Sequence, residues 1–220
     1  MYSVIIPTMW RSDYLGYMLP ACMNHSLVGE IIVINNDDAN KSGWFSSIKE
    51  KDEQSKIRMI TPPVNIGVNP AWNLGVRESK FDKICFLSDD VECDVNVFNF
   101  LYDKLEETDG LAGMCYPAFP REGVTQIRTI EKLVHGYGSL MFFNKNNYTP
   151  IPEEFKIFYG DVLLFIESIK AGKQPRIFYP IFAKTEMGST SASPEFAKQT
   201  ETEHALWMQH VGIEPGKFFY

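Results

Sequence analysis

Short apolar runs alternate with longer segments whose apolar positions recur every three or four residues. Ser3 to Pro7 is a run of the length and branching of a buried strand. Leu15, Met18 and Leu19 then share one helical face, with Ser12 placed to cap it. Glu30 to Ile34 is a second strand, stopped by the polar cluster Asn35 to Asp38. Trp44 to Lys51 reads as a short helix and Lys56 to Ile60 as a third strand. Asn69-Pro70 opens a helix that runs to about Ser79, with Asn69 as its cap and proline in the first turn. Lys83 to Leu87 is a fourth strand, followed by Ser88-Asp89-Asp90 and a helix capped by Asp94 through Phe98, Leu101 and Leu105.

The second half is less regular. Leu111 to Tyr116, Gly138 to Phe143 and Arg176 to Phe182 read as strands. Pro117 to Gln126 reads as a loop, Asn144 to Pro152 as a turn-rich link, and the Gly-, Ser- and Thr-rich Met187 to Pro194 as a mobile loop. Gly160-Asp161 opens an apolar helix through Leu164, Ile166 and Ile169 that ends at Gly172. Pro194 to His210 is a last helix.

Strand–helix alternation predicts an α/β fold: a mainly parallel, Rossmann-like sheet with helices on both faces, in one domain spanning 1–220. Ligands of such sheets gather at the carboxyl ends of the strands. Thr8 to Arg11, Asn35 to Asp38 and Ser88 to Asp90 all fall at such ends.

Composition adds little to this and excludes a good deal. A length of 220 residues, 45% of them hydrophobic, suits one globular domain and excludes disorder and fibrous repeats. The net charge of −7 argues against general polyanion binding, DNA included. Met1 leads straight into an apolar strand, without a basic leader region, and no stretch approaches 18 apolar residues. The four cysteines form no CxxC pair and read as reduced packing residues. A cytoplasmic chain with no membrane span is expected; oligomeric state is not legible.

Three motifs carry candidate chemistry. Adjacent Asp89 and Asp90 at a buried strand end repel, and a hard cation such as Mn²⁺ or Mg²⁺ would offset the repulsion while bridging to phosphate. The plainer reading is a solvated turn and helix cap. Asn65 to Gly75 places three asparagines and two glycines around a helix start, suited to an anionic or polar ligand or merely to a turn. Asp161 follows an aromatic run, Phe155 to Tyr159, and is either a helix-start acid favoured by the dipole or a catalytic group. Of the four histidines, His135 before Gly136-Tyr137-Gly138 is the candidate pocket residue. There is no GxSxG, Walker A or GxGxxG sequence.

In order and spacing these pieces resemble the GT-A fold glycosyltransferases, above all the inverting family 2. Val4 to Thr8 matches the opening strand, Glu30 to Asn36 the second strand, Asn65 to Gly75 the Asn/Gly-rich stretch, and Phe86 to Val91 the acidic DxD motif. Gly136 to Phe143 resembles the acceptor-side strand. Pro152 to Val162 is similar to the segment that ends in Glu-Asp, with Gly160 in place of the Glu and Asp161 keeping the Asp.

The resemblance implies transfer of a sugar from a nucleotide sugar, UDP-linked, to a hydroxyl acceptor: a glycan, a small molecule, a protein or a modified nucleic-acid base. It implies Asp161 as general base, and Asp90 with Asp89 as ligands of Mn²⁺ or Mg²⁺. Pro7, Thr8, Arg11, Asn35, Asn36, Asn65, Asn73, Ser88 and Asp89 would bind the donor. His135, Gly136, Tyr137 and Tyr159 would line the acceptor side. Residues 1–110 would form the nucleotide-sugar half and 111–220 the acceptor half. Three departures stand out: Asn35 where an Asp is usual, Ser88 for the first acid of the DxD, and no late histidine in Lys184 to Ser191, where Glu186 could substitute or Lys184 neutralise phosphate. The alternatives are a nucleotidyltransferase acting on a sugar phosphate and a non-catalytic nucleotide-sugar binding module.

Overall fold

The computed structural model describes residues 1–37, 43–117, 125–186 and 194–219. Most of Pro117 to Gln126 and of Met187 to Pro194, both read as loops, lies outside these residues. The strands are β1 (Tyr2–Thr8), β2 (Val28–Asn35), β3 (Ile57–Ile60), β4 (Lys83–Leu87), β5 (Val91–Cys93), β6 (Asp109–Met114), β7 (Gln126–Thr129), β8 (Leu140–Asn144), β9 (Gln174–Tyr179) and β10 (Ala183–Thr185). The helices are α1 (Tyr14–Asn24), α2 (Gly43–Glu50), α3 (Val68–Glu78), α4 (Asn96–Lys104), α5 (Gly160–Lys170) and α6 (Ala197–His210).

Eight strands form one sheet in the order β3-β2-β1-β4-β8-β6-β9-β7. The first four are parallel, β8 runs antiparallel between β4 and β6, β6 and β9 are parallel, and β7 is an antiparallel edge. The sheet is therefore mixed and mostly parallel, as the alternation of elements predicts.

Every residue of β1 is buried, because both faces of the sheet are covered. Side chains alternate across a strand, so Val4 and Ile6 face one core with Leu15, Met18 and Leu19 of α1 and Phe98 and Leu101 of α4. Ile5 faces the other core with Ala71, Trp72 and Val76 of α3, Leu164 and Phe165 of α5, and Trp207 of α6. The four cysteines are buried free thiols.

Four differences from the sequence reading have local causes. α3 begins at Val68, with Gly67 at φ 84° in the cap position, so Asn69 sits inside the first turn rather than capping it. β9 stops at Tyr179, before Pro180, which has no N–H to give a ladder. Strands β5 and β10 pair as a separate two-stranded ribbon, and at three residues each they are too short to show a period. β7 is a four-residue edge strand that was not anticipated.

Gly75 lets α3 lie directly on β1: a Cβ at that position would land inside the Ile5 side chain. Gly→Ala in a helix ordinarily stabilises by about 1 kcal/mol. Here we expect the opposite sign, a loss of roughly 1–3 kcal/mol from overpacking. Urea melts of Gly75→Ala against wild type check it; a stabilised variant would show that α3 stands off the sheet.

Candidate active site

Register brings the strand ends together: Thr8 pairs with Asn35, and Ile5 with Phe86, so β1, β2 and β4 end side by side. Between those ends, the start of α3 and the segment before α6 lies a cleft of about 220 Å³. Pro7, Thr8, Asn36, Asn65, Ser88, Asp89 and Asp90 line it, all anticipated from the sequence. Met9, Gly67 and Val68, from the strand-end and Asn/Gly-rich segments, line it as well, together with Ile157 and Phe196, which were not anticipated.

The acid pair is tied to β1. Thr8 Oγ1 donates to Asp89 Oδ2 at 2.6 Å and accepts from the Trp10 amide at 2.8 Å. Burial, opposed by that hydroxyl and reinforced by the neighbouring Asp90 charge, pushes the Asp89 carboxyl up to about 6. Asn36 bridges β2 to the glycine loop, donating to the Gly67 carbonyl at 3.1 Å and accepting from the Ile66 amide at 3.3 Å. Asn65 accepts from the Gly67 amide at 2.8 Å. The Arg11 guanidinium lies 5.9 Å from the centre of the Phe196 ring, which places it at the rim.

Ribbon β5–β10 brings the late segment to the acids. The Glu186 amide donates to the Asp90 carbonyl at 3.3 Å. Glu186 and Lys184 are both exposed, and the Lys184 ammonium lies 5.3 Å from the Phe182 ring centre. Among the described residues no three His, Cys, Asp or Glu side chains group as a metal cage. Two carboxylates at a cleft, one of them raised by burial, nevertheless fit a hard cation that takes one or two protein carboxylates and completes its shell from phosphate oxygens and water.

Asp161 does not line this cleft. It occupies the first turn of α5 and accepts from the Val162 amide at 2.9 Å, and burial raises its carboxyl above the ordinary range. One short turn, Tyr137–Ser139, joins it to the acids. The Ser88 amide donates to the Ser139 carbonyl at 3.0 Å. A Cβ on Gly138, one residue earlier, would meet the Asp161 carboxyl at 3.0 Å.

Three anticipated site residues are corrected. Asn35 is 2% exposed and spends its amide internally. Its oxygen accepts from the Trp10 indole at 2.7 Å and the Asp37 amide at 3.1 Å, and its nitrogen faces Thr61 Oγ1 at 3.4 Å. It holds the Met9–Trp10 loop, with Trp10 at φ 59°, and offers no edge to a base. Asn73 clamps the link after β8: it donates to the Ile151 carbonyl at 2.7 Å and accepts from Tyr148 Oη at 2.6 Å and the Ile151 amide at 2.9 Å. Tyr137 is fully buried and donates to the Leu111 carbonyl at 2.7 Å, so it is core and not acceptor wall.

The other acceptor-side residues are scattered. His135 is exposed and stacks on Phe219 at 6.0 Å. Gly136, at φ 80°, packs on Tyr116. Half-buried Tyr159, at φ 62°, has its hydroxyl 3.2 Å from His204 Nδ1.

The family model described as glycosyl transferase family 2 matches residues 3–168. The chain belongs to that family. It is a glycosyltransferase domain of GT-A-like fold, as the strand-end motifs imply. No curated protein matches it. Among solved structures, S. aureus TarS 1–349 in complex with UDP-GlcNAc superposes with a TM-score of 0.61 at 14% identity, over 98% of this chain and 68% of that one. TarS 1–349 in another structure gives 0.60 at 12% identity, over 81% of this chain and 60% of that one. The structure described as TarS without residue bounds gives 0.57 at 11%, over 98% and 41%. This glycosyltransferase domain thus spans about 60% or less of the TarS chain in two of the three. No helix among the described residues is long and apolar enough to cross a membrane.

Two expected outcomes follow from the site. Asn73→Ala should lose roughly 1–3 kcal/mol, because the buried Ile151 amide and carbonyl and the half-buried Tyr148 hydroxyl lose their partner, and leave nucleotide affinity unchanged. Weakened nucleotide binding at an unchanged melting temperature would restore Asn73 to the donor site. For Asp89, the folded state holds its proton more tightly than the unfolded chain does. The group therefore costs stability as pH rises from about 4 to 6, and fully above that. Asp89→Asn should raise the melting temperature of the metal-free protein at pH 7.5 and leave it unchanged at pH 4; an equal gain at both would assign the effect to something other than charge.

Proposed function

We propose that this domain transfers a sugar, with inversion, from a UDP-sugar to a hydroxyl acceptor, assisted by Mn²⁺ or Mg²⁺. The observation that carries the reading is the Tyr137–Ser139 turn, whose Ser139 carbonyl accepts from the Ser88 amide beside the acid pair and whose Gly138 leaves no room for a side chain against the Asp161 carboxyl. An inverting displacement needs a leaving-group site and a base held rigidly against each other, and that turn supplies the link.

The donor would lie in the cleft, held by Pro7, Thr8, Asn36, Asn65 and Ser88, with Arg11 and Phe196 at its rim. Asp90 and Asp89 would hold the cation, which when bound neutralises charge developing on the leaving diphosphate. Asp161 would take the proton of the attacking hydroxyl, and burial favours that uptake by raising its carboxyl. The UDP-GlcNAc bound in S. aureus TarS supports a uridine donor. A cytoplasmic setting is supported by four buried thiols that are free among the described residues. The first half supplies most of the donor wall, yet Ile157 and Phe196 come from the second, so the two halves share the cleft.

The test is a screen of nucleotide sugars for Mn²⁺-dependent hydrolysis, followed by Asp161→Asn on the donor that turns over. We expect UDP release from a UDP-sugar, with the variant binding UDP normally and losing about 10²–10⁴-fold in rate. Near-wild-type turnover removes Asp161 as base. Pyrophosphate release from a nucleoside triphosphate would favour nucleotidyl transfer, and nucleotide-sugar binding without turnover a binding module.

A further inference from the structure

On α6, Glu203 is fully buried. Its carboxylate accepts the amides of three consecutive residues: Lys156 at 2.9 Å, Ile157 at 3.1 Å and 3.3 Å, and Phe158 at 2.7 Å. Gln199, one turn earlier, donates to it at 2.5 Å. Three successive N–H groups converging on one carboxylate fix the path of a segment that has no helix or strand of its own.

That segment has three outlets. Ile157 forms cleft wall. The Lys156 and Phe158 carbonyls accept from the Asn69 amide at 3.0 Å and the Asn69 side chain at 2.9 Å, which seats the start of α3. Tyr159 then turns the chain at φ 62° into Gly160 and Asp161. Gly160 has no room for a side chain, because a Cβ there would land on the side-chain oxygen of Asn69. The base therefore enters α5 from a path fixed at both ends.

We infer that Glu203 is a positioning residue that sets Asp161 against the donor cleft through the 156–158 backbone. The inference rests on the reading of Asp161 as base. In Glu203→Gln the amide nitrogen would face N–H groups it cannot accept from, so the segment loosens while the side-chain volume stays the same.

The experiment measures hydrolysis of the UDP-sugar found in the screen by Glu203→Gln, Asp161→Asn and the double variant, with circular dichroism and melting on each. Glu203→Gln should lose about 10- to 100-fold in kcat with the donor KM within about threefold of wild type, and should cost less than about threefold when added to Asp161→Asn. A loss confined to KM, or the full penalty on top of Asp161→Asn, overturns the positioning role and leaves Glu203 as a general support. Near-wild-type turnover by Asp161→Asn overturns the base assignment itself and removes the group that Glu203 would position. If Glu203→Gln does not fold, Gln199→Leu, which removes only the supporting bond, decides. A two- to tenfold loss in kcat that vanishes on the Asp161→Asn background supports the role, and an unchanged kcat overturns it.

Discussion

Parallel pairing of β1 with β2 on one side and β4 on the other is the constraint from which the site descends. Because the three strands run in the same direction and in matched register, their carboxyl ends fall at one level, and Thr8, Asn36, Ser88 and the acids Asp89 and Asp90 meet there without any of them having to be carried in by a long loop. The price is electrostatic: acids at the end of a buried strand are poorly solvated, which raises the Asp89 carboxyl, and the Thr8 hydroxyl partly offsets that by donating to it. On the proposed reading, the positive charge that offsets these acids is a divalent cation accompanying the nucleotide diphosphate.

The second half answers a different problem. Its elements join the first half through the antiparallel β4–β8 ladder and, around the site, through individual polar contacts. Ser139 is fastened to Ser88, and the segment before α5 is fastened to Asn69 and hangs on Glu203. Apolar packing of α5 and α6 on the sheet supplies the stability, whereas these few hydrogen bonds supply the aim. The net charge of −7 reads differently in this light. Glu203 organises backbone, and on the proposed reading Asp89 serves a cation and Asp161 a proton.

What could be read from the sequence follows the same division. The parallel half, its strand ends and its acid pair are local, repeated patterns, and they were legible down to most residues of the cleft. Asn35 and Asn73 misled because asparagine is as useful for fastening backbone as for holding a ligand, and only burial and partners separate the two. Tyr137 misled because it lies between two glycines in a turn that looks exposed, although its ring reaches the core. Phe196 and Glu203 lie on or before a helix whose apolar face is weak. The one signal present was the four-residue spacing from Glu203 to buried Trp207, which puts an acid on the inward face. Ribbon β5–β10 joins segments some ninety residues apart and has no local signature at all.

The place of β8 in the sheet also governs how the chain can come together. Its strand order puts residues 140–144 between β4 and β6, both of which precede it in the chain. A nascent chain synthesised as far as β6 holds two unpaired inner edges, on apolar strands that would pair readily with any other strand within reach. Closure awaits the Leu140–Asn144 segment, and β7 in turn awaits β9. Assembly is thus a late, non-local event, in the slow regime of folding rates where exposed edges invite aggregation. During biosynthesis, the interval between completing β6 and delivering β8 is when unpaired strand edges are most open to mispairing.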